Sequence, residues 1–206
     1  MGGARRLDWW IGLLFALGSA AFALGAFPGL ASRADPTAVG ITFFVGSVLF
    51  TSAAALQLGQ AMAHGARLDR LATAVQFAGT LFFNVTTFAS LNDTLDTQER
   101  IARVWAPDAL GSVCFLVASY AALAAVCGRP WCRRRDDRGW RIAALNLLGS
   151  VFFGISALTS YIVPGTGEVL DAEATNATTF LGSVCFLAGA RLLMSGQAPA
   201  PREATA

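Results

Sequence analysis

Apolar residues fall into six long runs, at 9–27, 37–61, 71–91, 107–127, 141–163 and 174–194, separated by short polar stretches. A bilayer core about 30 Å thick needs about 20 mostly apolar residues per helix, so each run predicts one membrane-spanning helix. Ionisable side chains are nearly confined to the breaks. Asp108 lies at the start of the fourth run, and Arg191 lies near the end of the sixth, where its long stem reaches the interface. Pro28 and Pro36 bracket the first turn, Pro107 is expected to open the fourth helix, and Pro164-Gly165 to close the fifth. The five tryptophans, Trp9, Trp10, Trp105, Trp131 and Trp140, fall at predicted boundaries, where an indole buries its ring and keeps its N–H wet. The first run follows Arg5-Arg6 much as a signal peptide would, but it is long for one and carries the motif of the other five, so a retained span is expected.

That motif is Gly-[Ser/Thr]-x-x-Phe, with one copy per run: Gly18 with Phe22, Gly46 with Phe50, Gly79 with Phe83, Gly111 with Phe115, Gly149 with Phe153 and Gly182 with Phe186. Taken in pairs, the glycines are 28, 32 and 33 residues apart. The repeating unit is therefore a two-helix hairpin, and successive units enter the membrane from the same side. The expected fold is all-α: a polytopic membrane protein of six transmembrane helices in three repeated hairpins with pseudo-three-fold symmetry. The units span residues 1–64, 65–128 and 129–195, with a disordered tail at 196–206 rich in Pro and small residues. Lipid tails are as apolar as leucine, so membrane helices associate by close packing and interhelical hydrogen bonds. Glycine opens a notch for a neighbouring helix, and phenylalanine four residues on lies on the same face. These twelve residues are accordingly expected to be a helix-packing motif rather than the lining of a pathway.

Charge sets the orientation. All fifteen basic residues are arginine, and only Arg33, Arg100 and Arg103 fall in the loops of one side. The other twelve place both termini in the cytoplasm by the positive-inside rule. An arginine-only basic set with abundant Ala and Gly suggests a bacterial chain, hence the bacterial inner membrane. Arg129, Arg133, Arg134, Arg135 and Arg138 form a cluster suited to anionic lipid headgroups. With 55% hydrophobic and 14% charged residues and a net charge of +2, nothing points to nucleic acid. Cys127 and Cys132 flank the cluster and are expected to be free thiols, facing a reducing compartment.

Chemistry is sparse. The one histidine, His64, lies in a turn, and no Cys/His spacing suits a metal, so no cofactor is expected. Serines are plentiful, but no histidine, lysine or carboxylate pair lies at membrane depth to activate one, which argues against an enzyme. The interior polar groups are neutral: Gln57, Gln76, Asn84, Asn146 and Asn176. Gln76 and Asn146 each precede a motif glycine by three residues and are expected to form a polar layer near the axis, bonded to each other as interhelical glue, with a solute site as the alternative. Asp108, as the second residue of a helix opening at Pro107, is expected to complement the helix dipole or pair with Arg103 or Arg100, with outer-face ion binding as the alternative. Two acidic groups, Asp93/Asp96/Glu99 and Glu168/Asp171/Glu173, read as solvated loops.

Trp9-Trp10, the short turn after Gly25, and Phe43-Phe44-Val45-Gly46-Ser47 followed by Phe50-Thr51-Ser52-Ala53-Ala54 resemble the YrhK-like domain, a two-helix membrane unit of bacterial proteins. The likeness is best over residues 9–60 and implies a membrane hairpin without an established activity. The sequence thus predicts a non-enzymatic packing or assembly module, with a small channel or uniporter running between the hairpins as the rival.

Overall fold

The computed structural model describes residues 3–29 and 33–196; the expected tail lies outside them from residue 197 onward. The described chain is helical: α1 (Gly3–Gly25), α2 (Pro36–His64), α3 (Arg67–Ala89), the short α4 (Thr97–Arg100), a π-helical turn (Ile101–Trp105), α5 (Ala106–Cys127), α6 (Arg138–Thr159) and α7 (Ala172–Met194). Six helices are long and apolar enough to cross a membrane, the π turn and α4 extending α5 into one helix from Thr97 to Cys127. The only pairing of strand type among the described residues is an isolated bridge between Ile162 and Val169.

Aspartate fixes four of the helix starts. The carboxylates of Asp35, Asp96, Asp137 and Asp171 accept from the backbone N–H three residues on, satisfying donors that a helix start leaves unpaired. At Asp96 the cap is reciprocal, because the Glu99 side chain accepts from the Asp96 N–H. This overturns the expected helix start at Pro107, ten residues downstream. The π turn, in which the Ala106 N–H reaches the Ile101 carbonyl, carries the helix up to a residue that has no N–H to offer. Asp96 and Asp171 thus do more than solvate their loops. The fifth span ends at Thr159, four residues earlier than expected, and the following turn is closed by backbone bonds from Val163 N to Glu168 O (2.9 Å) and Leu170 N to Tyr161 O (2.8 Å).

The spanning helices neighbour one another in the order α1, α2, α3, α5, α6, α7 and back to α1, forming a closed ring. The closing contact is tight: a Cβ placed on Gly12 would lie 2.7 Å from Met194 Cγ. Phe22, Phe50, Phe83, Phe115, Phe153 and Phe186 form one buried cluster contributed by all six helices. Leu17, Val48, Leu81, Val117, Val151 and Leu181 are exposed, an outer belt suited to acyl chains rather than water.

Candidate functional site

The axis of the ring is where the chemistry-bearing residues converge. Each motif glycine meets the motif phenylalanine of its paired helix. A Cβ on Gly18 would stand 2.8 Å from Phe50, on Gly46 2.8 Å from Phe22, on Gly79 2.8 Å from Phe115, and on Gly111 3.2 Å from Phe83. On Gly149 it would stand 3.0 Å from Phe186, and on Gly182 2.5 Å from Phe153. No side chain larger than hydrogen fits Gly182 without displacing that ring. Backbones also approach closely, since the same positions on Gly149 and Gly182 lie 3.0 Å from each other's carbonyl oxygens.

Most contacts among the six rings are edge to face, while Phe115 and Phe153 stack with centroids 6.5 Å apart. Centroids are 5.0 Å apart for Phe83 and Phe115, 5.3 Å for Phe153 and Phe186, and 5.8 Å for Phe22 and Phe50, all T-shaped. Across pairs, Phe50 meets Phe186 at 5.9 Å and Phe83 meets Phe153 at 5.9 Å. Such geometry sets the positive ring edge on the negative face and is worth about 0.5–1.5 kcal/mol per pair beyond area. None of the six is more than 8% exposed, so the axis is filled at this level.

The hydroxyl after each motif glycine is buried as well: Ser19, Ser47, Thr80, Ser112, Ser150 and Ser183 are at most 2% exposed. Ser47 shares a hydrogen bond with Thr87 (2.9 Å) across α2 and α3. Ser112 donates to the Phe153 carbonyl (3.2 Å) and Ser119 to the Ser150 hydroxyl (2.8 Å), both across α5 and α6. Among the described residues Ser19 Oγ has no partner, and neither has Asn84 Oδ1.

Seven residues from the phenylalanine level in their helices, toward the arginine-rich end, stand Gln57, Gln76 and Asn146. Seven residues of helix rise about 10 Å. The three carboxamides line one cavity of ≈ 80 Å³, with Ser119 and Ser150 on its wall and Phe50, Phe115 and Phe186 toward the filled layer. All six spanning helices contribute to the lining, and none of its side chains is ionisable. The expected bond between Gln76 and Asn146 is not made. Gln76 instead donates from Nε2 to Gln57 Oε1 at 3.0 Å, because α2 is its ring neighbour whereas α6 lies beyond α5. Gln57, noted in the sequence only as an interior polar residue, is thus a full member of the layer; its position seven residues past Phe50 mirrors Gln76 and Asn146, seven before Phe83 and Phe153.

Asp108 lies in the first turn of α5, but the helix continues upstream to Thr97, so it meets no free helix end, and it pairs with neither arginine. The Ser160 hydroxyl donates to its Oδ2 at 3.4 Å, while Arg103 faces Glu99 at 3.6 Å and Arg100 donates to the Gly167 carbonyl at 2.7 Å. The reason is the upstream extension of the helix. It carries both arginines out to the loops and leaves Asp108 against the end of α6, beside a Trp105 indole that donates to the Ala157 carbonyl at 2.9 Å.

At the arginine-rich end, Arg129, Arg133, Arg134 and Arg135 are exposed, while Arg138 donates to the Leu193 carbonyl (3.2 Å) at the close of α7. Cys127 and Cys132 are joined in a disulfide with Cα atoms 5.5 Å apart, correcting the expectation of free thiols. Gly128, with φ of 65°, turns the chain back at the end of α5 in a conformation that only glycine adopts cheaply. Both cysteines are buried against Leu123 and Ala143, and Trp140 Nε1 donates to the Cys132 carbonyl (2.9 Å). The spacing carried no redox motif, and the pairing arises from that turn. Cys114 and Cys185 are free. His64 is exposed at the end of α2, and among the described residues no group of three or more His, Cys, Asp or Glu side chains is placed to hold a metal.

No family model, curated protein or solved structure matches the chain.

Proposed function

We propose that the chain is a non-enzymatic, multi-pass protein of the bacterial inner membrane that acts as a packing or assembly module, built from three copies of one helical hairpin related by an approximate three-fold rotation. The observation that carries this reading is the closed axis: six phenylalanines, each at most 8% exposed, seated on the glycines of their paired helices. The same glycine-to-ring contact recurs between α1 and α2, α3 and α5, and α6 and α7, which supports hairpin units at 1–64, 65–128 and 129–195. The likeness of residues 9–60 to the YrhK-like domain belongs with this reading.

Arginine placement supports cytoplasmic termini, with Arg129, Arg133, Arg134 and Arg135 against anionic headgroups and Arg138 close by. The Cys127–Cys132 disulfide stands against that placement, because disulfides persist in oxidising compartments and are rare in the cytoplasm. Labelling an exposed Arg134→Cys variant decides the side: a membrane-impermeant maleimide should leave it unmodified in spheroplasts with cytoplasmic termini, and modification would place that end outside.

A second reading, a small channel or uniporter, is favoured by the polar cavity on the axis. Its path would have to part the phenylalanine layer. Stopped-flow measurements on proteoliposomes decide between the two. The packing module predicts potassium, chloride and glycerol rates equal to those of empty liposomes. Fast permeation lost on Gln76→Leu or Asn146→Leu substitution would replace it with the channel.

A further inference from the structure

The cavity on the arginine-rich side of the phenylalanine layer has more hydrogen-bonding capacity than the protein uses. Gln76 spends one N–H on Gln57 Oε1, which leaves the Gln57 amide N–H groups and the Gln76 carbonyl oxygen without a partner among the described residues. The Asn146 side chain has no hydrogen bond among the described residues, although its amide is held close: a Cβ on Gly189 would lie 2.8 Å from Asn146 Oδ1. Three primary carboxamides therefore present both donors and acceptors to one enclosed space. The volume of ≈ 80 Å³ is room for several waters. The surrounding surface is aromatic and aliphatic, with no charge to hold an ion against the cost of leaving water. A separate groove lined by Gln57, Gln60, His64, Asp69 and Thr73 shares Gln57 with the cavity on that side.

We infer that this cavity is a binding site for a small neutral molecule of the carboxamide or urea class, about four or five heavy atoms in size, admitted from the arginine-rich end. A planar amide offers paired donors and an acceptor to the Gln57, Gln76 and Asn146 side chains and lays its apolar part on the phenylalanine layer. Ions of similar size are rejected because the lining offers no countercharge. The inference stands apart from the packing reading, since a blind site needs no passage past the rings.

The test is saturation-transfer NMR on the full-length protein in detergent micelles, with acetamide as probe and acetate as its charged counterpart. Acetamide should give saturable transfer with a Kd on the order of 1 mM, urea should displace it, and acetate should not. Asn146→Leu and Gln76→Leu should each weaken binding at least tenfold. Gly189→Ala keeps all three amides and presses a methyl group on Asn146 Oδ1; it should weaken binding at least threefold, which guards against a leucine variant that fails to fold. A cavity that holds only water would give no saturable transfer. That result, equal displacement by acetate, or an unchanged Kd in a folded variant would each overturn the inference.

Discussion

Two kinds of interface make up five of the six contacts around the ring, and the closing α7–α1 contact belongs to neither. Within the pairs α1–α2, α3–α5 and α6–α7, the motif glycines receive phenylalanine rings at 2.5–3.2 Å from where a Cβ would stand. At the seams α2–α3 and α5–α6, the helices meet through the hydroxyls of Ser47, Thr87, Ser112, Ser119 and Ser150. The division is not absolute, since Ser156 and Thr179 also share a hydrogen bond (2.6 Å) within α6–α7. The two kinds differ in what happens when they fail. A ring displaced from its notch has nowhere else to pack. Some hydroxyls that lose a cross-helix partner keep a local one: Ser47 also lies 2.8 Å from the Phe44 carbonyl, and Ser150 donates to the Asn146 carbonyl at 2.9 Å. Shape should therefore dominate the stability of the assembly, with hydrogen bonding a smaller, adjustable part.

The largest effect should come from Phe153→Ala, which empties the space between Phe22, Phe83, Phe115 and Phe186 and unseats the Gly182 notch. Core truncations of this size cost about 3–5 kcal/mol. Because lipid removes much of the transfer term, a loss near the lower end is expected in reversible unfolding titrations in mixed micelles. A loss below about 1 kcal/mol would mean that the ring layer holds little together.

Glycine-to-alanine substitutions should follow the distances. Gly182→Ala, at 2.5 Å from Phe153, is expected to cost about 2–3 kcal/mol, whereas Gly111→Ala, with nothing nearer than 3.1 Å, should cost less than about 1 kcal/mol. Equal costs across the series would break the link between notch depth and stability. Ser112→Ala at the α5–α6 seam should cost only about 0.6 kcal/mol, the average for interhelical bonds in a membrane protein. Smallest of all is a gain. Ser119 stands four residues after Phe115, and Ala190 stands four after Phe186; Ala190 flanks α1 at the closing seam, where Ser19 is buried without a partner. Ala190→Ser should restore the missing bond and raise stability by about 0.5 kcal/mol, an increment that should vanish in the Ser19→Ala background.

Much of the helical framework was readable from the sequence because lipid imposes a length and an apolarity that no loop satisfies. The motif residues were readable individually, since the fixed offset of four places Gly182 and Phe186 on one face without any knowledge of the neighbours. What depends on the neighbours was not. The partner of Gln76 follows from ring order, which no single helix encodes. The helix through Arg100 and Arg103 was hidden because its first turns are polar and Pro107 looks like a beginning; the signal present, Asp96 followed three residues later by Glu99, is a capping pair that hydrophobicity overlooks. The Cys127–Cys132 bond was missed because compartment was used to judge the cysteines, while the reversal at Gly128 that joins them is a matter of backbone conformation.

Closing α7 against α1 imposes an order on biogenesis. Gly12 packs on Met194, so one flank of the first helix has no partner until the last has been synthesised and inserted. At ordinary synthesis rates of about 5–20 residues per second, that wait is on the order of 10–40 s. During it, a chaperone or insertase would find the α1 face open, while the interface with α2 is already available. The nascent ring is thus a crescent with two free ends, and it becomes a complete barrel of helices only once α7 has been made.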